Sequence, residues 1–336
     1  MNSTTKIQPV DTNKINSQSV GQFFTKFGLA FVLLALMAVF GILEPKFLNY
    51  TNIFSILISA TITSIAAMGF VVIMSSGEID FAIGMEFALA GIIFLMMSKF
   101  SGLNFWIVVP IVFLINLSIG AINAFLNIKI GIPAFLATMG TSLIAQYAAW
   151  TLTGGLQVAY IGLPRIVNFG QIYLFKIIPL PLVMFIIVSI IMIIYTDQTK
   201  NGKKMYAVGS NPTACDYVGI NFRKEKLKGF LLCAALATIA GVVQASAFNR
   251  SQPNMGSGLM ISCLTSLMLG ALFLKPGVFN IPGTIIGAIL VGSIANGLQM
   301  MSAPTYMKNF VTGAVMLVAV VVTTLIRKNT EKVGSG

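Results

Sequence analysis

Three of the nine acidic residues, Glu78, Asp80 and Glu86, lie within nine positions of one another in a strongly apolar stretch. Carboxylates so placed are the groups from which a gate or a proton or cation site is built, because each is costly to bury unless shielded or paired. An acid just ahead of a helix has a simpler use, satisfying free N–H groups at the positive end of the dipole. That use is the expectation for Asp80, while the role of Glu86 stays open. The chain has no histidine, which removes Ser-His-Asp and Cys-His catalysis along with the commonest metal ligand. Its three cysteines, Cys215, Cys233 and Cys263, are odd in number and far apart, a spacing that builds neither a disulfide framework nor a zinc cluster. They are expected to pack as small apolar side chains. No catalytic residue, metal or cofactor is expected.

The other polar residues inside apolar runs are mostly amides and hydroxyls at helical spacing. Asn116, Gly120, Asn123 and Asn127 recur at steps of four, three and four; Thr138, Ser142 and Gln146 follow in the next run; Gly292, Asn296 and Gln299 share one face near the C-terminus. Within hydrocarbon such side chains face protein or a watery cavity. Taken singly, each is accounted for by hydrogen bonding between helices. As a set, Asn116, Asn123, Gln146, Asn296 and Gln299 are expected to line a translocation path. Amides without counter-ions suit a neutral polyhydroxylated solute, which needs donors and acceptors rather than charge. Gly283 and Gly287 form a GxxxG pair, expected to serve packing within the chain.

A third group lies in the polar segment 197–228. Asn211 is a good N-cap, Pro212 suits the first helical position, and Gly219 suits the left-handed position that ends a helix. A two-turn helix in a basic loop is a shape suited to docking a partner.

The elements that carry these residues follow from composition. Of 336 residues, 57% are hydrophobic and 9% charged, against about 25% charged in a soluble domain. The expectation is an all-α integral membrane protein. A bilayer core needs roughly 20 apolar residues per helix, and on that ruler ten spans are expected, at 27–43, 53–74, 81–97, 106–128, 134–153, 178–195, 229–248, 259–274, 278–300 and 309–326. Because Glu86 falls inside the third, that helix is expected to be broken or shielded. Residues 1–26 are expected as a disordered cytoplasmic tail, 27–326 as the transmembrane domain and 327–336 as a second cytoplasmic tail. The loop 154–177 is expected outside, with room for a short surface helix.

The net charge of +12 reads as topology rather than nucleic-acid binding, since no basic-aromatic patch accompanies it. With both termini cytoplasmic, Lys6, Lys14, Lys26, Lys129, seven bases in 197–228, Lys275 and three C-terminal bases fall inside. Lys46, Lys99, Arg165, Lys176, Arg250 and Lys308 fall outside. That bias obeys the positive-inside rule.

The loop 197–228 resembles the coupling segment of ATP-binding-cassette importer permeases, whose loose signature is E-A-A-x-x-x-G. Thr213, Ala214 and Cys215 stand at the E-A-A positions and Gly219 at the final glycine. The flanking Gly202, Tyr206, Ala207, Gly209, Asn211 and Ile220 look like the ribose-type branch. GEIDFAIG at 77–84 is similar to that branch's G-x-x-D-L-S-V-G element, through Gly77, Asp80 and Gly84. KIGIPAFLATMGT at 129–141 is similar to its G-I-P-x-F-x-x-T-x-G-T stretch, and PGTIIGAILVGSIANGLQMM near the C-terminus also looks like the branch. The resemblance runs in order from about residue 50 to 326. Thr213, Cys215, Asp216, Ala82 and Glu86 depart from the pattern, which leaves the particular ATPase partner and substrate open.

What the resemblance implies is a multi-pass subunit of the bacterial inner membrane. It would pair with a second permease subunit, two cytoplasmic ATPase modules and an extracytoplasmic solute-binding protein. The branch carries pentoses, hexoses and the furanosyl autoinducer. ATP would be bound by the partner, and the chain contains no GxxxxGK[ST] loop of its own. Its expected couplers are Asn211, Thr213, Ala214, Cys215 and Gly219, and its expected gate is Gly77, Asp80 and Gly84. The rival readings are an ion-coupled secondary transporter, favoured by the acid cluster, and a membrane-embedded enzyme, which would want more acids or histidines at the interface.

Overall fold

The computed structural model describes residues 12–100, 103–160, 164, 166–275 and 277–334, with side chains left aside at 12–27, 305 and 322–334. Twelve α-helices are described: α1 (Thr12–Leu43), α2 (Tyr50–Ser75), α3 (Ile83–Phe100), α4 (Phe105–Phe125), α5 (Ala134–Thr153), α6 (Leu180–Ile193), α7 (Lys200–Ser210), α8 (Pro212–Tyr217), α9 (Phe222–Phe248), α10 (Met255–Gly270), α11 (Ile281–Met300) and α12 (Thr305–Gly334). Short π-helical turns, Leu126–Ile130 and Ile194–Gln198, prolong α4 and α6.

Six of these segments are long and apolar enough to cross a membrane: Tyr50–Ser75, Ile83–Phe100, Phe105–Ile130, Leu180–Gln198, Phe222–Phe248 and Ile281–Met300. Gly28–Leu43, Met255–Gly270 and Tyr306–Val321 are shorter apolar helices. Residues 12–26, expected as unstructured tail, are instead the first part of α1, and 327–334 the last part of α12. Once an apolar stretch has nucleated a helix, each further residue adds a hydrogen bond, so the helix runs on into polar sequence. Residues 1–11 and 335–336 of the expected tails, and Arg165, lie outside the described residues.

The helices sort by burial. α2, α3 and α9 form the centre, with Ile65, Phe70, Ile73, Ile83, Phe230 and Ala237 among its fully buried residues. Glycines at the contacts let the α9 backbone close on both neighbours: Gly69 of α2 meets the Cys233 backbone, and Gly241 of α9 meets the Phe87 carbonyl of α3. The GxxxG pair works within the chain, Gly283 and Gly287 lying against the backbones of Gly270 and Ser266 on α10. α4 and α6 lie outside, and their exposed residues, such as Ile122, Ile186, Ile187 and Ile190, are apolar apart from Ser118, whose hydroxyl turns back to the Leu114 carbonyl. That is the surface hydrocarbon solvates, so the chain is an all-α membrane protein. α3 is continuous, and it is shielded rather than broken: Glu86 has no exposed surface.

The stretch 154–179 carries a 3-10 turn at Phe169–Gln171 and three two-residue strands, β1 (Val158–Ala159), β2 (Tyr173–Leu174) and β3 (Ile178–Pro179). β1 pairs antiparallel with β4 (Arg250–Ser251), and β2 with β3 as a hairpin.

Candidate functional site

Two cavities lie at opposite ends of α2. The first, about 500 Å³, is lined near the N-terminal end of that helix by Ser55, Ser59 and Thr63, which recur every fourth residue and so share a face. Gln244 of α9, Ser262 of α10, Asn296 and Gln299 of α11, and Asn309 and Thr312 of α12 complete its polar lining, with Arg250 and Lys308 contributing charge. Among the described residues no carboxylate lines it. Four of the five hydroxyls spend their protons on their own helices: Ser55 donates to the Thr51 carbonyl (3.0 Å), Thr63 to Ser59 (3.2 Å), Ser262 to Gly258 (2.9 Å) and Thr312 to Lys308 (2.9 Å). Each oxygen therefore presents lone pairs as acceptors, and donors must come from the amides and the two bases. Asn296 is held in place by Asn52, whose Nδ2 donates to its Oδ1 at 3.0 Å.

The second cavity, about 820 Å³, lies at the other end of α2. Ser75, Gly77, Glu78, Phe135, Tyr206, Gly209 and Phe279 are among its walls. Ser55 and Ser75 are 20 residues apart on one helix, about 30 Å along its axis, so the cavities are separated by the thickness of a bilayer core.

The element 77–84 stands beside this second cavity. Asp80 is buried, its Oδ1 accepting from the Ala82 N–H at 2.8 Å, and the Phe81 N–H donates to Thr138 Oγ1 at 3.0 Å. Asp80 thus shapes the backbone leading into α3. Gly77 has φ +84°, and α7 presses on it: a Cβ there would lie 3.2 Å from Gly209 Cα, and one on Gly209 would strike the Ser75 carbonyl. Lys226, at the start of α9, pairs with Glu78. Tyr206 of α7 donates to the Phe279 carbonyl at 2.7 Å, and burial raises its phenol above the usual range.

α8 leads directly out of α7. Asn211 Oδ1 accepts from the Ala214 N–H at 2.9 Å. At the far end Gly219 has φ +77°, and the Ile220 N–H donates to the Cys215 carbonyl at 2.9 Å. Cys215 is buried and faces the protein, whereas Asn211, Thr213, Ala214 and Gly219 are exposed. Tyr217 is 88% exposed at the outer surface of the helix. α7 itself is missing from the sequence reading, which placed only the miniature helix in 197–228. Its signal was Thr199, an N-cap whose side chain accepts from the Gly202 N–H at 3.2 Å.

The amide stripes divide. Asn296 and Gln299 reach the first cavity. Asn116 and Asn123 do not; they belong to a closed layer among α3, α4, α5 and α9. Asn116 donates to the Glu86 carbonyl (3.1 Å) and to Thr238 Oγ1 (2.9 Å), while Asn123 accepts from Thr141 (2.6 Å). Gly120 between them meets Ala234 and the Phe230 carbonyl. The stripe is the packing seam of α4 against α9. Gln146, half-buried on α5, lines neither cavity. Gln244 and the α2 hydroxyls were missed, because in α2 the serines and threonines are diluted among isoleucines. The three cysteines are buried and unpaired, and among the described residues no cluster of His, Cys, Asp or Glu could hold a metal.

A multi-pass helical bundle with a cavity at each end of one central helix, and a capped helix beside the second, belongs to the class of membrane-embedded transport proteins. Comparison with known proteins names the family. The model of the branched-chain amino acid transport system, permease component, matches residues 52–320, and the chain belongs to that family. The ribose import permease of Escherichia coli strain K12 is 28% identical over 308 residues, covering 90% of this chain and 96% of the relative. The D-allose transport system permease of the same strain is 29% identical over 309 residues, covering 91% and 94%. The autoinducer 2 import system permease of Photorhabdus laumondii is 26% identical over 309 residues, covering 90% and 92%. The expected likeness to ribose-type permeases is borne out by these relatives. No solved structure matches the chain.

Proposed function

We propose that this chain is the membrane-spanning permease subunit of an ATP-binding-cassette importer of the bacterial inner membrane, and that it carries a neutral, sugar-like solute: a pentose, a hexose or a furanosyl autoinducer. The observation that carries the substrate class is the lining of the first cavity, where hydroxyl acceptors and amide donors predominate, joined by Arg250 and Lys308 and, among the described residues, by no carboxylate. A polyhydroxylated solute exchanges its water hydrogen bonds for these. The ribose, allose and autoinducer 2 relatives support the same class.

In this reading ten helices span the bilayer, both termini are cytoplasmic, and the first cavity opens outward to a solute-binding protein. The segment α7–α8 lies on the cytoplasmic side, where a separate ATPase docks on Thr213, Ala214 and the cap residues Asn211 and Gly219. Cys215 anchors the helix from beneath. ATP-driven closure pushes α8, α7 passes the push to the turn at Ser75–Glu78 through its contact with Gly77, and α2 and α3 reorient around the solute. Gly77, Asp80 and Gly84 are the gate in this sense, a stiff turn rather than a charged filter. A second permease subunit, identical or paralogous, completes the path within the lipid. The chain is not itself an enzyme. The ion-coupled alternative draws on Asp80 and Glu86, yet both are fully buried and neither lines either cavity.

The test is reconstitution in liposomes with the ATPase and the solute-binding protein. Uptake should require ATP on the ATPase side and ignore a protonophore. Uptake that persists without ATP and collapses with the protonophore would sink the proposal.

A further inference from the structure

The hairpin that precedes α6 has a surface that the transport reading leaves unused. β2 and β3 pair with Tyr173 opposite Pro179 and Leu174 opposite Ile178. The turn between them is closed by the Ile177 N–H donating to the Leu174 carbonyl at 3.0 Å, with Phe175 at φ +52° and Lys176 at φ +60°. Two positive φ values at the centre make a type I′ turn, a position ordinarily held by Asn-Gly. Here a phenylalanine and a lysine hold it, and the conformation is unfavourable for both. What the turn achieves is exposure. Phe175 is 88% exposed, and Tyr173, Leu174, Ile177 and Ile178 project beside it. In water this would be an unfavourable apolar tip.

The surroundings say what covers it. Leu180, the first residue of α6, follows the hairpin directly, and the exposed residues of α6 are Ile186, Ile187, Ile190 and Ile191, a lipid-facing surface. The hairpin therefore sits at the level where that surface leaves the hydrocarbon. Both tryptophans mark the corresponding ends of two other helices: Trp106 in the first turn of α4 and Trp150 in the last turn of α5 are exposed. Aromatic rings and lysines at span ends are the signature of the bilayer interface, the ring at the headgroup boundary and the ammonium reaching the phosphates.

We propose that hairpin 173–178 is an interfacial anchor. Phe175 and Ile177 seat in the acyl boundary of the outer leaflet, and Lys176 pairs with lipid phosphate. The occupant is the bilayer itself, not a protein. The anchor fixes the height of α6, which packs on α2, the helix that joins the two cavities. The proposal rests on the chain's multi-pass character and, for the choice of leaflet, on the orientation proposed above, and on no assumption about substrate or energy source.

The test uses the full chain in vesicles of phosphatidylethanolamine and phosphatidylglycerol. The three native cysteines, all buried, are replaced, and a nitroxide is placed by Phe175→Cys, by Ile177→Cys and, as an aqueous reference, by Gln252→Cys at an exposed position beside β4. Collision rates with oxygen and with a water-soluble nickel chelate report depth. The oxygen-to-nickel ratio at 175 and 177 is expected to exceed that at 252 severalfold, because apolar oxygen concentrates in hydrocarbon whereas the polar chelate stays in water. Equal ratios at all three sites would overturn the proposal. So would a label at 175 that is aqueous in the permease alone and protected only when a solute-binding protein is added, which would make the hairpin a protein-docking site. Because Phe175 and Ile177 make up an exposed tip, a loss of folding at one site is checked by the other.

Discussion

Replacing Gly219 with valine isolates the geometry of α8, the proposed docking helix, from its chemistry. Gly219 ends α8 with φ +77°, and a Cβ built there meets no atom within 4 Å. The substitution therefore introduces no clash, and its whole cost is the left-handed backbone, roughly 1–2 kcal/mol for an L residue and more for a β-branched one. At 1.4 kcal/mol per factor of ten, the native end of α8 becomes about 5- to 30-fold less populated. Membrane insertion should be unchanged, since α8 lies outside the spans. Solute-stimulated ATP hydrolysis by the reconstituted complex should fall by a similar factor, and recovery of the ATPase on the tagged permease should weaken with it. Asparagine tolerates the left-handed region, so Gly219→Asn should restore most of the activity. Ala214→Arg, on the exposed face, should block docking sterically, and the exposed Lys224 should tolerate alanine. If valine and asparagine behave alike, whether both are active or both are dead, the left-handed end is not what the ATPase reads.

The Glu78–Lys226 pair is mostly buried, with side-chain exposures of 15% and 18%. Lys226→Ala should cost on the order of 1–3 kcal/mol, between the values for exposed and buried pairs. The charge swap Glu78→Lys with Lys226→Glu should recover stability measured by thermal unfolding in detergent; no recovery would show that the pair does not act as a unit. Glu86→Gln should express and transport nearly as the parent does, because Glu86 lines neither cavity, and a well-expressed but inactive variant would restore the ion-coupled reading. A reporter fused after Lys328 should be active only in the cytoplasm and one within 154–177 only outside, the opposite pattern overturning the ten-span arrangement.

The sequence by itself determined whatever depends on neighbours along the chain or on composition alone. The membrane class followed from having too few charges to solvate a soluble surface. The helix α8 followed from Asn211, Pro212 and Gly219, because capping is local: the Asn211 bond to the Ala214 N–H spans three residues. Asp80 has an equally local bond, its Oδ1 reaching the Ala82 N–H two residues on, which shapes the turn ahead of α3 rather than capping the helix itself. α7 went unread although its cap was equally local, since its polar outer face made it look like loop.

Only the tertiary structure decided which partner each polar face meets. Helical spacing shows that Asn116 and Asn123 share a face with Gly120, and equally that Asn296 shares one with Gln299. It does not say that the first face closes on Thr238 and Ala234 of α9 while the second opens into a cavity. Nor does the glycine of the 77–84 motif announce that it stands against Gly209, more than a hundred residues away. An amide in hydrocarbon must find a partner or water, and periodicity fixes only its direction around its own helix. Whether a neighbouring helix or a cavity lies in that direction is settled by how the twelve helices pack.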